Sequence, residues 1–291
     1  MAMGETIPAG SESQSGLEAG LYVTATPIGH SRDITLRALE ILKSCDAIAA
    51  EDTRVTAKLL AIHGVSKPLL SYNDHNAALE RPRLLERLRN GARIALVSDA
   101  GTPLISDPGY KLVRDASAEG IPVRAIPGAS AALAALSVAG LPTDRFLFAG
   151  FPPVRSGERR TFLSELKDVG ATLIFYESPQ RLAGCLVDMA VIFGPRPAVI
   201  ARELTKFHEE IVRGNLSELV EAFAHAPKGE ITIVVGRPLK QLPDYDRADR
   251  LLDSALEFMP VRAAADLVAD ALKMPRRETY ERALARRAIS Q

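Results

Sequence analysis

Residues 94–103 read Ile-Ala-Leu-Val-Ser-Asp-Ala-Gly-Thr-Pro, and this stretch decides the fold class. Its first four residues form a short apolar run, which is typical of a strand that is buried on both faces. The small and polar residues that follow are turn formers, and a second turn of the same kind comes at 106–109. Two turns together after a buried strand favour a ligand-binding loop, in which Asp99 could anchor a hydroxyl or an amine.

On both sides of this stretch, short apolar segments alternate with helical patterns. Strands are predicted at 21–25, 47–50, 68–71, 94–97 and 123–126, and helices at 36–44, 55–62, 77–89, 110–118 and 130–138. This alternation predicts a mostly parallel sheet with helices on its faces. Polar or Gly- and Pro-rich turns follow the predicted strands, at 26–29, 51–54, 71–76, 98–103 and 127–130. Because such sheets bind ligands at the carboxyl ends of their strands, these turns predict the rim of a site.

The rest of the chain predicts a second α/β domain and a helical tail. We divide the sequence into a disordered leader (1–18), an N-terminal α/β domain (19–141), a C-terminal α/β domain (142–238) and a helical extension (244–291). The Pro- and Gly-rich segment 152–160 is interpreted as a mobile lip whose arginines (Arg155, Arg159 and Arg160) face RNA. The Arg-rich last helix is typical either of a solvated surface or of a phosphate contact, and both interpretations stay open.

Composition and missing motifs exclude several classes of protein. Lys and Arg number 36 against 36 Asp and Glu, so the net charge is zero and any RNA contact must use local basic patches. No P-loop motif occurs, so a phosphate site of that kind is unsupported, and no G-x-G-x-x-G follows the first strand, which disfavours a nicotinamide dinucleotide site and a Rossmann-type methyltransferase. The histidines lack metal-ligand spacing, and Cys45 and Cys185 lack CxxC spacing. With no secretory signal or membrane-spanning apolar run, we expect a cytoplasmic protein without metal or membrane contact.

Six motifs occur in an order that resembles a known family. They are Leu21–Gly29, Ala50–Arg54, Ser98–Gly109, Ile126–Ser130, Phe175–Pro179 and Ala201–Lys206. The set resembles the ribosomal-RNA branch of the tetrapyrrole-methylase superfamily, which methylates the 2′-hydroxyl of a cytidine in 16S rRNA. The chain departs from that pattern at His30, where the family usually has Asn, and at Asn73, where it often has His. Both departures bear on substrate contact.

The resemblance implies two α/β domains with S-adenosylmethionine in the cleft between them, and a homodimer that acts on the small ribosomal subunit or its 16S rRNA. Carried over by position, the cofactor contacts would come from Ile28, Asp99, Thr102, Ser130, Ala131, Tyr176 and the backbone near Glu230.

The predicted rim also carries candidates for catalysis and for substrate contact. A ribose hydroxyl must lose its proton on methylation, and Glu51, Asp52 and Lys206 are candidates for accepting it. Candidates for substrate contact are Arg54, His75, Asn76 and Glu203. The competing interpretation is that these are helix caps and surface ion pairs. That interpretation is favoured for any single residue, and substrate contact is favoured for the group.

Two other functions stay open from the sequence. The first is methylation of a small tetrapyrrole of the precorrin type on the same fold, which would require basic groups deep in the cleft. The second is a non-catalytic ribosome-assembly factor that holds S-adenosylmethionine only as a structural ligand. The Glu51–Arg54 and Phe175–Pro179 motifs and the helical extension argue against the first, and the intact Ser98–Pro103 loop argues against the second.

Overall fold

The computed structural model describes residues 16–105, 109–238 and 245–289. Most of the predicted leader, and residues 106–108 of the second turn, lie outside the described residues. The chain divides into two compact units, one ending at Pro238 and the other beginning at Leu239.

The first sheet of the larger unit is wholly parallel. Its strands are β1 (Gly20–Thr24), β2 (Ala47–Ala50), β3 (Leu69–Ser71), β4 (Arg93–Val97) and β5 (Val123–Ile126), in the order β3-β2-β4-β1-β5. The helices are α1 (Leu36–Ser44), α2 (Thr53–Ile62), α3 (Ala77–Arg89) and α4 (Tyr110–Ala118). Successive side chains of β4 point to opposite faces, so Ala95 and Val97 pack with α1 and α2 while Ile94 and Leu96 pack with α3 and α4. We call this sheet and its four helices the first domain.

The second sheet of the same unit is mixed. Its strands are β6 (Phe146–Phe148), β7 (Thr172–Glu177), β8 (Pro197–Arg202), β9 (Glu210–Asn215) and β10 (Ile231–Val235), in the order β6-β7-β10-β8-β9. Only β6 and β7 pair in parallel, and the other neighbours are antiparallel. Helix α5 (Ala131–Ala139) packs on one face, and α6 (Ser156–Leu166), α7 (Pro179–Phe193) and α8 (Leu216–Ala222) pack on the other. We call this sheet with α5–α8 the second domain. The predicted α/β fold class is confirmed.

Two features of the second domain differ from the sequence-based expectation. Strand β9 was not predicted, because it is an edge strand whose residues are exposed or half-buried and so lack an apolar run. The predicted mobile lip is largely helix α6, and the expectation that Arg159 faces RNA is wrong. Arg159 is buried and its Nη2 lies 2.6 Å from the carboxylate of Asp188 on α7, while Arg160 also binds that carboxylate. Asp188 lies 29 residues away in sequence, so local composition could not reveal the pair.

The smaller unit is a three-helix module with its own core. It consists of α9 (Tyr245–Leu256), α10 (Val261–Leu272) and α11 (Arg276–Ile289), packed around apolar residues that include Leu252, Val268 and Met274. In α11, Arg282 pairs with Asp249 at 2.7 Å and Arg286 pairs with Asp253. These cations therefore hold α11 to α9.

Cys45 and Cys185 are free, buried thiols. Within the described ranges, no helix combines the length and the apolar character that a membrane span requires.

Candidate functional site

A cleft of about 370 Å³ lies between the first and second domains. The first domain and the start of α5 line it with Ile28, Gly101, Thr102, Ile105, Ser130 and Ala131. The second domain lines it with Phe151, Tyr176, Glu177, Leu204, Glu230 and Thr232. The volume is within the usual range for small-molecule sites, and most of these walls are small or apolar.

Three loops of the first-domain wall are hydrogen-bonded to one another. The Thr26 N–H donates to the Gly101 carbonyl at 2.8 Å, and the Gly101 N–H donates back at 3.1 Å. The Thr102 hydroxyl donates to the Ala129 carbonyl at 3.0 Å. Gly101 has a φ of 79°, and a Cβ there would lie 3.2 Å from the Ile28 side chain, so glycine serves both backbone conformation and close packing.

Tyr176 connects α5 to the second sheet. Its hydroxyl oxygen accepts a hydrogen bond from the Ala132 N–H at 3.2 Å, within the first turn of α5. The ring packs edge-on against Phe148 and Phe151, with centroids 4.8 and 5.6 Å away. Ser130 is the N-cap of α5, and its side chain makes no capping hydrogen bond. The cleft therefore has an aromatic wall beside a helix N-terminus, where anionic groups are stabilised.

Residues 203–209 form a tight loop, which we call the 203–209 loop. Glu203 and Thr205 have φ angles of 51° and 63°, in the left-handed region that a β-branched residue such as Thr rarely adopts. Each such conformation costs about 1–3 kcal/mol and persists only where surrounding contacts enforce it. Here the Glu203 carboxylate accepts hydrogen bonds from Lys206 Nζ at 2.8 Å and from the Glu230 N–H at 2.9 Å. The Thr205 N–H donates to the Glu209 carboxylate at 2.6 Å.

The 203–209 loop packs directly against the first domain. The His30 N–H donates to the Thr205 hydroxyl at 3.0 Å. A Cβ on Gly29 would lie 2.6 Å from both the Lys206 side chain and the Thr205 hydroxyl, and 2.8 Å from the Leu204 carbonyl oxygen. The Pro-Ile-Gly turn of the first domain therefore needs glycine at its third position so that this loop can close one end of the cleft.

The charges of this loop neutralise one another. Partial burial alone would lower the pKa of Lys206, but hydrogen bonds to Glu203 and Glu230 outweigh it and raise the pKa above its ordinary value. Hydrogen bonds from Lys206 and from the Glu230 N–H lower the pKa of Glu203. Lys206 is therefore an ammonium group at neutral pH, which favours a structural cation over a proton acceptor.

The segment 51–54 lies at the carboxyl end of β2 and is built differently. Asp52 is the N-cap of α2, and its carboxylate accepts a hydrogen bond from the Arg54 N–H at 2.8 Å and pairs with the Arg54 guanidinium at 2.6 Å. Hydrogen bonding to Arg54 lowers the pKa of Asp52 to about 2. Next to it, the Asp99 carboxylate accepts from the Asp52 N–H at 2.9 Å. Desolvation raises the pKa of Asp99, and repulsion from the Asp52 carboxylate adds to that shift.

The 71–76 turn lies beside this segment. Asn73 Nδ2 donates to the Glu51 carbonyl at 3.5 Å, which joins the ends of β2 and β3. Asn76 Oδ1 accepts from the Asn73 N–H at 2.8 Å, and its Nδ2 donates to the Ser71 carbonyl at 3.1 Å. The Asn76 amide is thus engaged within the turn, whereas the His75 side chain is exposed.

The structure brings most of the predicted cofactor residues together. The cleft is lined by Ile28, Thr102, Ser130, Ala131, Tyr176 and Glu230. Asp99 follows β4, the central strand of the first sheet, and its carboxylate lies beside Asp52 instead. Of the rim candidates, Glu203 and Lys206 hold one cleft wall, while Glu51, Asp52, Arg54, His75 and Asn76 lie at the ends of β2 and β3. Their roles stay predictions.

The sequence-based prediction missed several apolar lining residues. Ile105, Phe151 and Leu204 all lie in segments between helices and strands, where apolar side chains were not treated as site candidates. Phe151 carried a usable signal, because this aromatic residue directly follows Gly150 at the end of the apolar run 146–149. Among the described residues, no group of three or more His, Cys, Asp or Glu side chains could hold a metal ion.

Comparison with known proteins identifies the family. Residues 20–220 match the family model of the tetrapyrrole (corrin/porphyrin) methylases, and residues 243–287 match that of the RsmI C-terminal HTH domain. The chain is similar to the ribosomal RNA small subunit methyltransferase I of Mesorhizobium japonicum, with 49% identity over 92% of each chain. It is also similar to the protein of the same name from Xylella fastidiosa, with 46% identity over 89% of this chain and 97% of that one.

A solved structure supports the same fold. The uroporphyrin-III-C-methyltransferase of Thermus thermophilus aligns with a TM-score of 0.55 and 23% identity, covering 74% of this chain and 93% of that chain. At that identity the likeness shows the fold alone. The chain belongs to the tetrapyrrole methylases, in the branch of the ribosomal RNA small subunit methyltransferases I.

Proposed function

We propose that this protein transfers a methyl group from S-adenosylmethionine to the 2′-hydroxyl of a cytidine in 16S ribosomal RNA. The observation that carries the proposal is 49% identity, over 92% of both chains, to a protein named as a ribosomal RNA methyltransferase. A tetrapyrrole substrate is less well supported, because the uroporphyrin enzyme is only 23% identical and the likeness covers 74% of this chain. A non-catalytic assembly role has no support from the names of these relatives.

The cleft residues fit S-adenosylmethionine. Ile28, Ile105, Phe151 and Leu204 offer apolar surface to a nucleoside. Gly101 also lines the cleft and has no side chain, so a ligand can approach its backbone closely. The N-terminus of α5, where the Ser130 hydroxyl makes no capping hydrogen bond, suits a carboxylate. When bound, S-adenosylmethionine supplies a methyl group on a positively charged sulfur. The protein's main contribution is then to hold the hydroxyl in line with that methyl group.

The proton of the ribose hydroxyl needs an acceptor near neutral pH. Asp52, with a pKa of about 2, is a weak base, and Lys206 carries a proton already. Asp99 is better suited to accept the proton, because burial raises its pKa and an effective general base titrates closer to the working pH. We propose that Asp99 accepts the proton at the carboxyl ends of β2 and β4, where its carboxylate also binds the Asp52 N–H. Arg54, whose side chain is 86% exposed, is then available to a phosphate.

Two variants separate this role of Asp99 from cofactor binding. Asp99→Asn keeps the size of the side chain and removes the base, so kcat should fall about 100-fold or more while affinity for S-adenosylmethionine stays unchanged. Thr102→Val removes a hydroxyl inside the cleft, so it should weaken the cofactor about tenfold. Calorimetric titration beside single-turnover methylation measures both quantities. If Asp99→Asn lost cofactor affinity instead, Asp99 would be a cofactor contact.

The proposed substrate is tested with ribosomes that lack the modification. Small subunits and naked 16S rRNA from a strain without the gene are incubated with the protein and labelled S-adenosylmethionine, and ribose methylation is mapped. We expect one methylated cytidine 2′-oxygen. No incorporation into either RNA would contradict the proposal, as would methylation on a base. We further propose that the protein acts as a homodimer, which light scattering of the full chain tests directly.

A further inference from the structure

Phe207 is the most exposed large apolar side chain among the described residues. Its side chain is 96% exposed. In the described part of the chain its only aromatic neighbour is the adjacent His208, whose ring lies edge-on with its centroid 5.0 Å away. The backbone that carries this ring is fixed by hydrogen bonds within the loop. The Lys206 N–H donates to the Glu203 carbonyl at 3.0 Å, and the Glu209 N–H donates to the Lys206 carbonyl at 3.1 Å, so hydrogen bonds close the loop on both sides of Phe207.

The position of Phe207 is at one edge of the cleft. Leu204 lines the cleft, and Lys206 Nζ lies 3.1 Å from the carboxylate of Glu230, which also lines it. Thr205 binds the first domain through His30. The 203–209 loop is therefore fastened to both walls, and Phe207 is presented to solvent beside them. The left-handed conformations of Glu203 and Thr205 are maintained by these contacts, and strain of this kind is typical of functional sites.

The charges around Phe207 indicate how it would bind. Lys206 is paired with Glu203 and Glu230, and the Glu209 carboxylate is engaged by the Thr205 N–H. The loop therefore offers no free cation for a phosphate, and its available surface is an aromatic face. Proteins that hold single-stranded RNA commonly stack unpaired bases on such rings.

We propose that Phe207 stacks an unpaired nucleobase of the RNA substrate and so positions the neighbouring ribose over the cleft. This inference rests on the proposed function, because it takes the substrate to be RNA. When a nucleotide leaves a stacked strand so that its ribose reaches the cleft, a nearby base loses a stacking partner, and the ring of Phe207 would replace that partner. Loss of one stacked base should weaken RNA binding about 10- to 100-fold. Because the contact carries no charge, that loss should be the same at low and high salt.

The chain contains no tryptophan, which provides a direct probe of stacking. Phe207→Trp introduces a single fluorophore at the proposed contact. Val191→Trp is the matched control: Val191 is 64% exposed and lies on α7, about 18 Å along the helix from the cleft-lining Pro179. The probes are single-stranded oligocytidylate RNA and small subunits lacking the modification. We expect both to quench Phe207→Trp fluorescence and to leave Val191→Trp unchanged.

Kinetics provide the second readout. Phe207→Ala should raise KM for the small subunit about 10- to 100-fold, with affinity for S-adenosylmethionine unchanged, and Phe207→Tyr should retain activity. Normal kinetics for Phe207→Ala with an active wild-type enzyme, or absent quenching in Phe207→Trp, would overturn the stacking role and leave the proposed function standing. If Phe207→Ala instead dissociated a dimer, the ring would contact a second copy of the chain and the proposal would be wrong. A wild-type protein inactive on ribosomal RNA would remove the proposed function itself.

Discussion

Two segments of the chain look alike in sequence and are built in opposite ways. Glu51-Asp52-Thr53-Arg54 and Glu203-Leu204-Thr205-Lys206 share the pattern Glu-x-Thr-cation, and each follows a strand. In the first, Asp52 caps α2 and pairs with Arg54 two residues away, so its contacts are mostly local. In the second, left-handed backbone at Glu203 and Thr205 is held by Glu230, Glu209 and the His30 N–H.

The difference shows which charged motifs can be interpreted from sequence alone. A cap and an ion pair two residues apart follow from local preferences of Asp and Arg, and such exposed pairs contribute little to stability. A strained loop depends on partners distant in sequence, because no local preference of Glu or Thr favours positive φ. We therefore expect substitutions around 203–206 to affect both folding and activity, and substitution of the exposed Arg54 to leave folding nearly unchanged.

The largest effect should come from Gly29→Ala. The added Cβ would lie 2.6 Å from Lys206 and Thr205 atoms, so the 203–209 loop must move away from the first domain. Such overpacking costs about 1–3 kcal/mol, and a displacement of the cleft wall by about 1 Å can lower the rate 100-fold. Gly157→Ala on α6 is the control, because its Cβ would meet nothing within 4 Å. Melting curves and single-turnover rates check both variants, and normal activity in Gly29→Ala would show that the packing is dispensable.

A smaller effect is expected from removing the cation in each segment. Lys206→Met leaves the Glu203 carboxylate, whose side chain is only 18% exposed, without its charged partner. The free energy of unfolding should fall by about 1–2 kcal/mol, because a half-buried carboxylate loses a charged hydrogen bond. Arg54→Met, at a side chain 86% exposed, should leave the denaturation midpoint unchanged and lower only the affinity for RNA. Equal destabilisation by the two variants would remove the contrast between the segments.

Acid should affect the 203–209 loop before it affects the 51–54 segment. The pKa of Glu203 is lowered in the folded protein, so its contribution to stability is present above its ordinary value of 4.5 and is lost as pH falls through the lower folded value. The pKa of Asp52 is also lowered by folding, so its contribution to stability is lost as the pH falls from 3.8 to about 2. We expect Glu203→Gln to show a shallower decrease in stability below pH 4.5 than the wild type. Parallel curves in urea titrations at several pH values would contradict this assignment.

The first domain followed from the sequence because its strands are short apolar runs separated by amphipathic helices. A buried strand such as β4 contains a continuous apolar run, here Ile94–Val97, and this run is recognisable without knowledge of the strands beside it. The polar turns that follow such strands predicted the rim of the cleft. The second domain was harder, since β9 is half exposed and α6 is held by the Arg159–Asp188 pair. Helix α5 packs on the second sheet, although the predicted boundary at 141 assigned it to the first domain. That packing depends on contacts with β7, β8 and β10, which lie far from α5 in sequence, so the local pattern could not indicate it.

Site prediction stopped at the same physical limit. Gly101 and Ser130 lie in turns at strand ends that the sequence marks as a rim, and the cofactor role of Ser130 was implied by the family resemblance. Phe151, which packs on Tyr176, and the exposed ring of Phe207 were not predicted, because their importance depends on which segments meet in space. The spacing of charges indicated neither that Lys206 is fully paired nor that Asp99 lies beside Asp52.

The smallest effect is expected in the helical module, where most arginines of the last helix are paired with carboxylates, as Arg54 is with Asp52. Most cations of α11 are already paired: Arg276 with Asp270, Arg277 with Glu281, Arg282 with Asp249 and Arg286 with Asp253. A protein ending at Pro238 should fold and bind S-adenosylmethionine, because residues up to Pro238 form a compact unit.

For the same truncated protein, binding to the small subunit should lose only about one or two phosphate contacts. Each contact changes the slope of log K against log salt by about 0.7–0.9, so the slope should become shallower by less than about 2. Arg277→Gln in the full chain is the matched control, because it removes one cation from a side chain that is 92% exposed. It should change the slope by at most the value for one phosphate contact, about 0.9. If truncation made the slope shallower by about 2 or more, the arginines of α11 would have exchanged their carboxylate partners for phosphates. The parallel with Asp52 and Arg54 would then fail.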